Sequence, residues 1–134
     1  MLILTLPLAL RCSLPGLRNR MRQHTVQPHY HSGEDETFYL LEGEMTFNAG
    51  GEEIHASPGD TVTIPRGLEH TFRNDTKELK FLLQFTPAGF ERYFQDMSDP
   101  AEYLGLPPNP GPPDIARMIA AAIRYGCVFT GQNP

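Results

Sequence analysis

The chain has 134 residues, 13 of them proline and 12 glycine, with 40% apolar residues, 20% charged residues and a net charge of −5. That composition describes one folded domain and excludes both a disordered chain and a basic nucleic-acid binder, while the length allows roughly two-thirds of the unfolded surface to be buried without a disulfide scaffold or structural metal. The acidity is unevenly placed: residues 1–33 hold Arg11, Arg18, Arg20 and Arg22 and no acid.

Residues 1–21 read as an atypical N-terminal segment. Its apolar run, Met1 to Leu10, is broken by Pro7 and falls well short of the roughly 20 residues of a membrane-spanning helix, so no membrane association is expected. It lacks the basic n-region and small-residue cleavage site of a secretory signal, although the Arg-rich, acid-free flank is one feature of a transit peptide. An edge strand, a dimer contact or a poorly ordered stretch are the readings it leaves open.

Between residues 22 and 86, short runs rich in β-branched and aromatic residues alternate with turn signals, the pattern of a sandwich or barrel. Strands are expected near Gln23 to Tyr30, Thr37 to Leu41, Glu44 to Asn48, Glu52 to Ala56, Thr61 to Ile64, Thr71 to Asn74 and Glu78 to Phe85. Ala49-Gly50-Gly51, Ser57-Pro58-Gly59-Asp60 and Pro65-Arg66-Gly67 supply the breaks. No helix-length segment separates these strands, so the topology must be antiparallel.

Residues 87–134 read as a helical and proline-rich extension packing on the barrel. Thr86-Pro87 predicts a helix N-terminus, with the helix running to about Met97, and Asp99-Pro100 predicts a shorter turn. Five prolines between Pro107 and Pro113 enforce an extended linker. Asp114 is placed to cap a second helix whose stripe Ile115, Met118, Ile119, Ala122 and Ile123 should pack on the barrel, and Gly126 is placed to end it. Cys12 and Cys127 have no paired spacing and read as free thiols in a reducing compartment, the cytoplasm, with Cys127 lying past the final helix.

The chemistry lies in the histidines. His29 and His31 are two apart, so on a strand both side chains leave one face; Glu36 follows a turn, and His70 arrives on a later strand. Three imidazoles and a carboxylate converging inside a barrel suit one divalent transition metal, such as Fe, Mn, Ni, Cu or Zn, better than calcium or magnesium.

The spacing is more specific than the composition. His29, one residue, His31, four residues, Glu36, six residues, Gly43 is followed by Gly59, five residues, Pro65, one residue, Gly67, two residues, His70, three residues, Asn74. These two segments resemble the paired motifs of the cupin superfamily, and the strings HSGEDETFYLLEGE, IPRGLEHTFRN and FTPAGFERYF are similar to small single-domain cupins of the quercetin-dioxygenase-like group. One position departs: Gln23 stands where the family has a glycine six residues before the first histidine.

The resemblance implies a mainly β fold, an antiparallel double-stranded β-helix (jelly-roll) barrel with two C-terminal α-helices, and a homodimer. It implies His29, His31, Glu36 and His70 as metal ligands, with Glu36 favoured over its rivals Glu34 and Asp35 by its distance from Gly43. It also implies a small-molecule substrate and dioxygenase-like chemistry in which Glu36 doubles as a catalytic base; a non-catalytic ligand-binding module or a metal-dependent isomerase are the alternatives. Phe38, Leu40, Met45, Phe47, Phe72, Phe81 and Phe85 are candidates to line the cavity or to fill the barrel core.

Overall fold

Alternating side chains set the two sheets of the protein, whose computed structural model describes residues 26–77, 79–97 and 114–131. In β2 (Asp35–Glu42), Glu36, Phe38 and Leu40 are buried, whereas Tyr39 and Leu41 are exposed. The same alternation turns Met45, Phe47 and Ala49 of β3 (Met45–Ala49) and Val62 and Ile64 of β5 (Thr61–Ile64) inward. With β1 (His29–His31), β4 (Glu52–Ala56), β6 (His70–Asn74) and β7 (Lys80–Thr86), these strands make up the body of the fold.

Every strand pair is antiparallel, as expected from the short connections. One sheet has the order β4-β3-β6-β1-β8, where β8 is Cys127–Phe129, and the other has the order β5-β2-β7. Between them lies an apolar core in which Phe38, Leu40, Met45 and Phe47 are wholly buried. The Phe38 ring meets Phe47 edge-on at 4.9 Å and Phe72 at 5.3 Å, so aromatic packing joins one sheet to the other. Gly50 and Gly51, at φ 59° and 87°, form the two-residue turn between β3 and β4, whose two positive φ angles would strain any residue with a side chain. The mainly β, antiparallel class with two helices is thus the observed architecture.

The C-terminal part differs from expectation in three places. Thr86 does not cap a helix: it is the last residue of β7, opposite Asp35, and Gly89 at φ 153° delays the helix, α1, to Glu91–Met97. The second helix, α2 (Ile115–Arg124), starts where expected, with the Asp114 carboxylate accepting the Arg117 N–H at 2.9 Å. Of its expected stripe, Ala122 is buried beside Ala121 and Met118 and Ile119 are half-buried, whereas Ile115 and Ile123 are exposed. The third difference is β8 itself, a strand of three residues that pairs with β1 in the register His29–Phe129, Tyr30–Val128 and His31–Cys127. The expected edge strand or dimer contact in residues 1–21, Cys12, the Asp99-Pro100 turn and the proline-rich linker lie outside the described residues.

Candidate metal centre

The two-residue spacing of His29 and His31 on β1 sends both imidazoles inward, at 6% and 3% exposure. His70 opens β6 directly opposite His29, so the antiparallel register places the third ring against the first, with centroids 4.3 Å apart. Glu36 comes from β2 in the facing sheet. One ligand atom from each of these four buried residues lies within 4.8 Å of the others, so the cluster bridges the two sheets.

The histidines are presented in a defined way. Main-chain carbonyls can only accept hydrogen bonds, so His29 Nδ1–H donates to Gln27 O at 2.8 Å and His70 Nδ1–H donates to Leu68 O at 3.0 Å. Each bond leaves Nε2 for the interior. His70 Nε2 lies 2.9 Å and His31 Nε2 3.6 Å from the same oxygen, Glu36 Oε2. Both ring nitrogens of His31 are buried without a hydrogen-bond partner, although desolvating a polar group uncompensated is costly.

The electrostatics follow from this crowding. Burial alone lifts the Glu36 carboxyl, but its contacts with His31 and His70 outweigh that and hold it below the ordinary carboxylate range. Burial pulls His70 down, and the bonds to Glu36 and Leu68 O reverse the shift, so it lies above the ordinary imidazole value. His29, for which burial dominates, drops to about 4. Without a metal, Glu36 is therefore ionised, His29 is neutral, and the Glu36–His70 contact holds a proton. Three nitrogen donors and one carboxylate oxygen, with His31 otherwise unsatisfied, fit a divalent transition ion.

The rival carboxylates point elsewhere. Asp35 faces the surface, where Arg66 binds it through the backbone N–H at 2.9 Å and the guanidinium at 3.0 and 3.1 Å, lowering its carboxyl to about 2. Glu34 is not among the four converging groups, although its Oε2 is buried and unpartnered.

Of the residues named as cavity candidates, Phe38, Leu40, Met45 and Phe47 are core, with Phe72 and Phe81 packed against them. Phe85 alone among them touches the histidines, with its ring centroid 5.6 Å from that of His31. The other walls were missed from sequence. Phe90 meets the His31 ring edge-on at 4.4 Å, Phe129 lies 5.9 Å from His29, and Cys127 is buried opposite His31. Burial, then the charges of Glu36 and Glu34, push the Cys127 thiol up to about 12, so it is a neutral, free thiol. It follows the final helix as expected and belongs to a second core cluster with Phe90 and Ala122. The signal for this wall was the apolar run Cys127-Val128-Phe129 after Gly126, too short for its periodicity to be read.

A family model described as "Cupin domain" matches residues 21–85. An 85-residue stretch is 39% identical to quercetin 2,3-dioxygenase of Bacillus subtilis (strain 168), covering 63% of this chain and 25% of that protein. A 62-residue stretch is 42% identical to an uncharacterized protein of Aquifex aeolicus (strain VF5), covering 46% of this chain and 50% of that one. The chain therefore spans between a quarter and a half of the length of these relatives. Among solved structures, KdgF from Halomonas sp. aligns with a TM-score of 0.50 at 24% identity over 53% of this chain and 64% of its own, a likeness of fold.

Proposed function

The chain belongs to the cupin superfamily, and on that premise we propose that it binds one divalent transition metal through His29, His31, Glu36 and His70 and acts as a dioxygenase-like enzyme on a small aromatic or enol-type molecule. The observation that carries this reading is the convergence of four buried donors from opposite sheets, with His31 left unsatisfied until something occupies the centre. When bound, the metal supplies a Lewis acid that polarises an electron-rich oxygen substrate and a redox partner for dioxygen. The chain's own part is to position and deprotonate. Glu36, which the cluster places beside the histidines, would take the hydroxyl proton of an enol or phenol on its carboxylate as the substrate enters. Phe85, Phe90 and Phe129 give the histidines an aromatic surround suited to a flat, apolar substrate.

The partner is thus a small organic molecule, and the net negative charge disfavours nucleic acid. Among the described residues no helix is long and apolar enough to cross a membrane. The unpaired Cys127 supports a reducing, cytoplasmic setting. A homodimer is part of the same proposal, supported by the cupin resemblance and by the apolar composition of Met1 to Leu10.

The test is oxygen uptake by metal-loaded protein given a panel of flavonols, including quercetin, and simple catechols. Substrate-dependent uptake is expected. Tight binding of a panel member without uptake would favour a ligand-binding module, and conversion without uptake an isomerase.

A further inference from the structure

An imidazole that offers Nε2 to a metal must carry its remaining proton on Nδ1, and something must accept that proton for the ring to stay aimed. His29 and His70 use carbonyls two residues behind them. His31, the most crowded by aromatic rings, has no such acceptor, and its Nδ1 is buried and bare. Apart from the two ring nitrogens of His31, just one buried side-chain nitrogen or oxygen among the described residues stands without a partner, and that is Glu34 Oε2. The two orphans are complementary, since an ionised carboxylate accepts hydrogen bonds and a ring N–H donates them.

They also share a corner of the molecule. Glu34 lies three residues beyond His31, in the connection from β1 to β2. Gly89 lies beside it, where a Cβ would stand in ordinary contact at 3.8 Å from Glu34 Oε1, and the next residue, Phe90, packs on the His31 ring. Cys127, opposite His31 across the β1–β8 pair, lies within the field of the Glu34 charge.

We propose that Glu34 is a positioning residue for the metal centre, its carboxylate accepting the His31 Nδ1–H through one buried water. This inference rests on the metal-binding reading above. A water there satisfies both groups, the usual role of buried water in proteins. The bond fixes the His31 tautomer with its lone pair on Nε2, and the negative charge makes that nitrogen a stronger donor. Glu34 need not touch the metal or the substrate to do this.

Cobalt(II) affinity, measured on full-length metal-free protein by competition with a chromophoric chelator, tests the proposal in wild type, Glu34→Ala and Glu34→Gln. Glu34→Ala should weaken binding by about 10- to 100-fold. Glu34→Gln should recover part of the loss, because its amide oxygen still accepts a hydrogen bond but without the charge. The melting temperature of the metal-free protein should change little in both variants, since one water-mediated hydrogen bond at a half-buried side chain adds little net stability. Wild-type affinity in Glu34→Ala would overturn the positioning role, as would a weakening matched by an equal loss of metal-free stability. If wild type itself binds no cobalt, the metal-binding reading falls, and the role of Glu34 falls with it.

Discussion

Glu36 and Asp35 are neighbours on one strand, yet alternation sends one carboxylate into the histidine cluster and the other to the surface. Glu36→Gln keeps the side-chain length and an oxygen donor, so the three imidazoles should still retain metal. If Glu36 is the base, turnover on an active substrate should fall by roughly two to four orders of magnitude. Near-normal turnover with metal retained would leave Glu36 as a ligand only. Asp35 has a separate signature. Its carboxyl is lowered from 3.8 to about 2 by Arg66, so the pair stabilises the fold above pH 3.8 and loses that contribution as pH falls toward 2. The melting temperature of Asp35→Asn should therefore lie below wild type at pH 6 and converge with it near pH 2. A gap that persists at low pH would mean the ion pair is not its source. Both assignments follow from the ladder of β2, and the motif spacing already singled out Glu36. What the spacing could not show is that Asp35 has an outward partner, because Arg66 is distant in sequence and meets it through the pairing of β2 with β5.

The elements divide by how local their causes are. Strands β2 to β7 were legible because each is a short run bounded by its own turn residues, and β2, β5 and β7 also carry their own alternation. Helix α2 was legible at its cap for the same reason, whereas its buried face was legible only in part, because which face turns inward is decided by what it packs against. β8 depends on a partner about 100 residues earlier, and nothing within three residues records that. Its placement turns on Gly126, whose φ of 75° ends α2 and directs the chain back along β1, and whose carbonyl accepts the Ser32 N–H at 2.9 Å. Alanine at this position would take a left-handed conformation with its Cβ 2.5 Å from Ser32 Oγ. Gly126→Ala should cost about 1–2 kcal/mol in chemical denaturation, and the loosened β8 should weaken metal binding as well. Ser32→Ala in the same chain should relieve the contact and leave the backbone cost. Unchanged stability in the single variant would show that the turn is not under this constraint.

At the scale of the molecule, the four-residue cluster joins the two sheets: β1 and β6 supply the histidines and β2 the carboxylate. For the proposed homodimer, light scattering should report about twice the 15.0 kDa chain mass, and deletion of residues 1–20 should shift it toward monomer. A strictly monomeric intact chain at micromolar concentration would contradict the dimer, and an unchanged dimer after deletion would move the interface to another surface. The central claim is narrower and does not depend on assembly. It is that His29, His31, Glu36 and His70 together hold one metal ion. Elemental analysis of the purified protein, beside His31→Ala and His70→Ala variants whose folding is verified by circular dichroism, addresses it directly. The account predicts about one divalent transition metal per wild-type chain and a marked loss in each variant with the β-sheet signal intact. Undiminished metal in either folded variant, or none in the wild type after reconstitution, would contradict it.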